Sequence, residues 1–279
     1  MRFRYFLAPG ILAAGLIASV IPTLSTSVAA QAPSPAASAA QGAKPAALPR
    51  TADGKPNLHG IWQVRNRAAY GLEDHVARHG MPAGRSVVEG GTIPYQDWAL
   101  EKRDENFANR VKLDPLNECF LPGLPRIMYM EFPFQIFQTP THIGITFEWT
   151  QVFRLIYTNG SKHVQDIEFW MGDPRGRWEG DTLVVEVTNF NDKTWFDMAG
   201  NFHSEALKVE ERFTMLDADT IRYEATMTDP KVFTRPWRIS MPLYRHKDMP
   251  RLLEYQCQAE AEEARGDFPR EPRTWVPKP

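Results

Sequence analysis

Between residues 143 and 258 the chain repeats one pattern: apolar side chains at every second position, broken by short turns and never by a helix. Ile143, Ile145, Phe147 and Trp149 alternate with Gly144, Thr146, Glu148 and Thr150, and Leu207, Val209, Phe213 and Met215 alternate with Lys208, Glu210, Arg212 and Thr214. Period two is the period of a strand with one buried face. Strands are read at 61–64, 143–150, 152–158, 183–190, 207–216, 221–228, 237–245 and 252–258. Asn159-Gly160 follows one apolar run, and an Asn-Gly pair there signals a hairpin. Parallel pairing needs long crossovers, usually helical, and none is visible. The expectation is therefore a mainly β, antiparallel meander. A meander of this length has to hide its edges, and closing into a barrel is the simplest way; a two-sheet β-sandwich is the alternative.

One helix is expected ahead of the meander, Tyr95 to Val111, with Leu100, Phe107, Ala108 and Val111 on a shared face and Pro115 ending it. Residues 66–93 are rich in Gly, Arg and His, have no period, and read as a long loop. Arg2 and Arg4, the uncharged apolar stretch Phe6 to Val20 and the small-residue site Val28-Ala29-Ala30 have the three-part design of a secretory signal peptide, 1–30. The apolar run falls short of the roughly 20 residues of a membrane-spanning helix, so no membrane attachment is expected after cleavage. Residues 31–49, mostly Ala, Pro, Ser, Gln and Gly, lack the apolar mass to offset ordering and read as a disordered tether. That leaves residues 50–279 as a single β-rich domain, periplasmic or secreted. Loss of two arginines with the signal moves the formal charge from -2 to -4, which offers no basic footprint for nucleic acid. Export makes a disulfide between Cys119 and Cys257 the expected state of the two cysteines, against two separate buried thiols.

Period two also places charge in the core. Glu211 falls among Leu207, Val209, Phe213 and Met215, so it points inward. A buried carboxylate is costly unless paired, and Arg154, between Val152 and Ile156 on an apolar face, is the first candidate partner. The pair is read either as part of a ligand site or as a structural ion pair. His142, His163 and His203 are candidate proton shuttles. His203 sits in Gly200-Asn201-Phe202-His203-Ser204-Glu205, where an imidazole, a hydroxyl and a carboxylate are adjacent; a polar loop with a capping serine is the plainer reading. Neither H-x-H nor H-E-x-x-H spacing occurs, so no metal is expected, and without a dinucleotide, phosphate-loop or G-x-S-x-G motif no cofactor is expected. Tyr157, Trp170, Trp195 and Tyr223 belong to a dense aromatic set from which a pocket for an apolar or aromatic molecule could be lined.

Gly60-Ile61-Trp62 resembles the G-x-W opening of lipocalins, which implies a lipocalin-like barrel. More broadly, Asp53-Gly54-Lys55-Pro56-Asn57-Leu58-His59-Gly60-Ile61-Trp62, the string Gly176 to Val185, His203-Ser204-Glu205, Glu211-Arg212, Asp229-Pro230, Pro236-Trp237 and Glu254-Tyr255-Gln256-Cys257 resemble an uncharacterised family of secreted bacterial proteins. The chain departs from that family at Val164 and Pro174, where the family carries Pro and Ser. The resemblance implies secretion and supplies no activity. Two main functional expectations follow. The first is an exported enzyme (a lyase, isomerase or hydrolase) that acts on a small, partly apolar or aromatic molecule by cofactor-free acid–base chemistry inside a barrel cavity. His203, Glu211, Arg154 and His163 would be its catalytic groups, and His142, Glu148, Tyr157, Trp170, Trp195, Ser204 and Tyr223 its ligand contacts. The second is a lipocalin-like carrier of a similar molecule. A ligand-free structural protein of the envelope is a third, lower reading.

Overall fold

The computed structural model describes residues 47–266. The expected signal peptide, most of the tether and the chain after Gly266 lie outside the described residues. Nine strands form a closed barrel in sequence order: β1 (Gly60–Gln63), β2 (Phe134–Gln138), β3 (His142–Phe147), β4 (Phe153–Tyr157), β5 (Asp173–Glu179), β6 (Thr182–Thr188), β7 (Lys208–Asp217), β8 (Thr220–Thr228) and β9 (Trp237–Arg245). β9 closes on β1 through Trp62 opposite Arg245. The barrel is lipocalin-like in its meander. Trp62 is fully buried, donates its indole N–H to the Leu58 carbonyl at 2.9 Å and lies under the Arg245 guanidinium.

All neighbouring strands are antiparallel except β4 and β5, which pair in parallel at Tyr157–Arg175. The expected hairpin at Asn159-Gly160 is thus a correction. The chain leaves β4 through residues 158–172 and re-enters at the opposite end of the barrel. This irregular crossover is held by side chains rather than by a ladder. Asn189 Nδ2 donates to the Val164 and Ile167 carbonyls, Asp173 accepts from Val164 N, and Arg175 Nε donates to the Lys162 carbonyl. Gly176 stands at this seam because a Cβ there would come within 2.9 Å of Ile156 and 3.0 Å of Thr158.

Three further expectations change. The helix is α1 (Asp97–Ala108), followed by a short α2 (Arg110–Leu113), and both are inserted between β1 and β2. Its buried face is Ala99 and Asn106, while Leu100 and Val111 are exposed; a polar side chain with a docking partner outranks the apolar stripe. The strand read at 252–258 is not formed. Only Tyr255 bridges to Trp149, and α3 (Cys257–Arg265) begins where the chain is tied by a disulfide between Cys119 and Cys257. That bond replaces the ladder the strand would have needed.

Strand direction decides where the loops go. With β4 and β5 parallel, the connections β1–β2, β3–β4, β6–β7 and β8–β9 all emerge at one end. They pack together as a cap. Tyr129 donates to the Phe196 carbonyl at 2.8 Å, Tyr95 donates to Asn201 at 2.9 Å, and Gln96 N donates to the Val232 carbonyl at 2.9 Å. α1 docks on the β6–β7 connection at Gly200, where a Cβ would meet the Phe107 N and Arg103 O backbone atoms at 2.7 and 2.8 Å; Asn106 donates to the Gly200 carbonyl.

Candidate functional site

The barrel interior holds three of the expected site residues. Arg154 on β4 reaches Glu211 on β7 across two intervening strands and binds it in bidentate fashion, with Nη1–Oε1 at 3.1 Å. Tyr223 donates its hydroxyl to Glu211 Oε1 at 2.8 Å. Glu211 is wholly buried, and its cross-strand neighbours are Val185 and Ala225, small side chains that leave room for the guanidinium. Burial, with the Glu211 charge beside it, pushes the Tyr223 phenol well above its ordinary value. Beside the trio stand Ile145, Phe213 and Met241, all buried. The carboxylate oxygens are occupied by donors, and the group is packed into the core.

His203 and Ser204 meet Trp195 in a different place, a cleft of about 460 Å³ in the cap. Its other walls are Trp98, Lys102 and Asn106 of α1, Leu113, Asp192, Phe202 and Val232. Trp195 and Phe202 face each other through an antiparallel bridge in the β6–β7 connection. His203 is 2% exposed. Its Nδ1 lies 2.9 Å from the Ser204 carbonyl, which can only accept, so Nδ1 carries the proton. Nε2 is then the acceptor, and the Thr194 hydroxyl donates to it at 2.7 Å. Burial lowers the His203 pKa below its ordinary value, against the Ser204 carbonyl and the charges of Asp229 and Asp192. The ring is a neutral base near pH 7. Ser204 donates to Asp229 at 2.9 Å and so serves the turn at 229–233.

The β6–β7 connection also holds a carboxylate that the sequence did not single out. Asp197 is completely buried and accepts from Leu72 N, Asn201 N and Asn201 Nδ2 at 2.8, 3.2 and 2.6 Å. Burial raises its pKa to about 6, although the Asn201 amide, the Leu72 N–H and the Arg126 charge pull it down. Arg126 binds Asp114 through both Nη atoms at 2.8 Å. Desolvation opposes its charge, but the Asp114 carboxylate prevails and holds the guanidinium above its ordinary value. These residues sit in aperiodic loops, where no alternation reports a buried face. The one available signal was composition: Asp114, Asp197 and Asn201 are polar residues beside apolar or aromatic ones.

The remaining expected residues are dispersed. His163 lies between Asp173 (3.2 Å) and Glu186 (3.1 Å) on the crossover loop, and Asp173 also holds Arg175. Arg175 stacks on Tyr157, whose ring meets His142 edge-on at 5.1 Å. Glu148 accepts from Leu253 N, and Trp170 stacks on Phe120 at 5.2 Å. None of the three histidines converges on Glu148, Arg154 or Glu211. What fold and site define together is a closed nine-stranded barrel whose loop cap carries a ligand-sized cleft. The chain matches no protein-family model, and no curated protein is significantly similar to it in sequence.

Proposed function

We propose that this chain is an exported enzyme that takes a small, partly aromatic molecule into the cap cleft and acts on it by cofactor-free acid–base chemistry. The reaction class is that of a lyase, isomerase or hydrolase, with His203 as the base. The observation that carries the reading is a neutral imidazole of fixed tautomer lining the same cleft as Trp98, Trp195 and Phe202. Aromatic walls with a few oriented polar groups suit a ring-bearing ligand. A base with a depressed pKa keeps its lone pair near neutral pH, and the Thr194 hydroxyl is placed to pass a proton to Nε2. Export is supported by the disulfide and by the signal-peptide design of residues 1–30. The site stands apart from the barrel interior, where Glu211 and Arg154 are bound to one another and to Tyr223 and line neither pocket of the cap.

The test is turnover of a panel of single-ring esters, lactones and hydroxy acids, with binding followed separately by tryptophan fluorescence. His203→Gln should lower turnover by on the order of 100-fold or more while binding survives. Wild-type turnover should persist below about 6.5, the ordinary imidazole value, and fall only at lower pH, where the buried ring begins to charge. Binding without turnover by the wild-type protein would favour the carrier reading, which has its own support: both ring nitrogens of His203 are already engaged within the protein.

A further inference from the structure

A second pocket lies in the cap, between the β1–β2, β3–β4 and β6–β7 connections, and shares no lining residue with the His203 cleft. Its volume is about 120 Å³, and its walls include Leu116, Met130, Phe132, Trp149 and Met198. Two of the residues lining it carry buried N–H donors without a partner. Arg126, 2% exposed, spends both Nη atoms on Asp114 and leaves Nε unpaired; Trp149, 6% exposed, leaves its indole N–H unpaired. Folded proteins satisfy nearly all buried donors, so two unsatisfied donors in one small pocket call for an acceptor from outside the chain. Arg154 Nε is also unpaired, but Arg154 sits in the barrel core and lines neither pocket.

We propose that this pocket binds a neutral, compact molecule with a carbonyl-type acceptor, about the size of a single six-membered ring. The size follows from volume: a closed cavity of roughly 150 Å³ holds benzene, and this pocket, at about 120 Å³ and open on one side, takes no more than one ring with part of it at the mouth. Thioethers and aromatic rings make soft walls that suit a flat apolar body. Neutrality follows from the charges already present. Arg126 and Arg67 are met by Asp114, Asp197 and Glu131, with Glu131 on the pocket wall paired to Arg67 and accepting from Tyr70. The positive charges are more than balanced, so a carboxylate would enter against a net negative surround. A ketone, amide or lactone oxygen takes the donors without that cost.

The experiment follows the indole N–H resonance of Trp149 in the full exported chain, titrated with acetophenone, ethylbenzene and benzoate. Acetophenone should move the resonance saturably, and ethylbenzene, alike in shape but without an acceptor, should bind at least about tenfold more weakly, because it leaves both donors unmet. Benzoate should also be weaker. By calorimetry, Trp149→Phe should weaken acetophenone towards the ethylbenzene level, Arg126 Nε remaining, with the circular dichroism spectrum unchanged; His203→Gln should leave acetophenone binding intact, which separates this site from the catalytic proposal. The wild-type ligand comparison stands even if the Trp149 variant does not fold. Equal binding of ethylbenzene and acetophenone, preference for benzoate, or an indole N–H that contacts only water no probe displaces would each overturn the proposal.

Discussion

Among the described residues are two buried, bidentate arginine–carboxylate pairs, and they do opposite work. Arg154–Glu211 joins strands 57 residues apart across the barrel interior and takes Tyr223 as a third member. Arg126–Asp114 joins residues 12 apart within one cap connection, beside Asp197 and against an open pocket. Both arginine side chains are 2% exposed. The chemistry and burial are the same, and the difference is what surrounds them. On strands the neighbours are fixed by register, the ladder supplies every backbone partner, and the charges serve only one another. On loops the backbone must find partners case by case; each arginine leaves its Nε unpaired, but only Arg126 lines a pocket from which a partner could come. Buried charge marks the core of this fold in one place and the edge of a binding surface in the other.

The sharpest way to break that contrast is to remove one charge from the barrel pair. Glu211→Gln leaves a guanidinium buried among apolar side chains, and loss of one member of such a pair costs on the order of 3–5 kcal/mol. Urea denaturation should show a midpoint lowered accordingly with unchanged slope. Replacing both members, as in Arg154→Met with Glu211→Leu, should recover most of that loss, since buried pairs rarely outperform apolar packing. An unchanged midpoint for Glu211→Gln would mean that the barrel pair is no more structural than the cap pair.

The cap should instead reveal itself in pH dependence. Asp197 titrates near 6 in the folded chain, against an ordinary 3.8. The folded state therefore holds this proton more tightly, which favours folding below about pH 4, and the advantage is lost as pH rises towards 6. The full difference is at most roughly 3 kcal/mol. His203 has the opposite sign: its pKa is depressed by burial, so its contribution is present above about 6.5 and is lost as pH falls through its lower folded value. Asp197→Asn should remove the component between pH 4 and 6 and keep the His203 component. It should also cost on the order of 1–3 kcal/mol at all pH values, because one carboxylate acceptor is replaced by a donor facing the Leu72 and Asn201 N–H groups. Stability curves of the two proteins that stay parallel from pH 4 to 6 would show that Asp197 is not the titrating group.

The same contrast explains what the sequence could show. Glu211 was legible because Val209 and Phe213 flank it at period two, and Arg154 because Val152 and Ile156 do the same. The closed barrel followed from alternation and short turns. The β4–β5 seam did not, because its crossover is fixed by the side chains of Asn189 and Asp173, which carry no periodic mark. His203, Ser204 and Trp195 were legible as chemistry-bearing residues and proved to share a cleft. Asp197, Arg126 and Trp149 had no such sign, since an unpaired N–H or a shifted pKa depends on packing that only the folded cap creates.

The smallest expected effect lies at His163, where the surface provides a third kind of pair. Its Nε2 stands 3.1 Å from Glu186, whose side chain is 57% exposed, while its Nδ1 faces Asp173, which is 8% exposed. Exposed pairs are screened by water and salt and contribute about 0–1 kcal/mol. Glu186→Gln should therefore shift the urea midpoint by less than about 0.5 kcal/mol equivalent at physiological salt. Asp173→Asn should cost more, because that carboxylate also accepts from Val164 N and holds Arg175, and so anchors the crossover loop to β5. If Glu186→Gln proves as damaging as Asp173→Asn, His163 is clamped from both sides, and the crossover loop belongs with the barrel pair as a structural element. If only Asp173→Asn destabilises, the outer nitrogen of His163 is free to exchange partners, and the loop behaves like the cap.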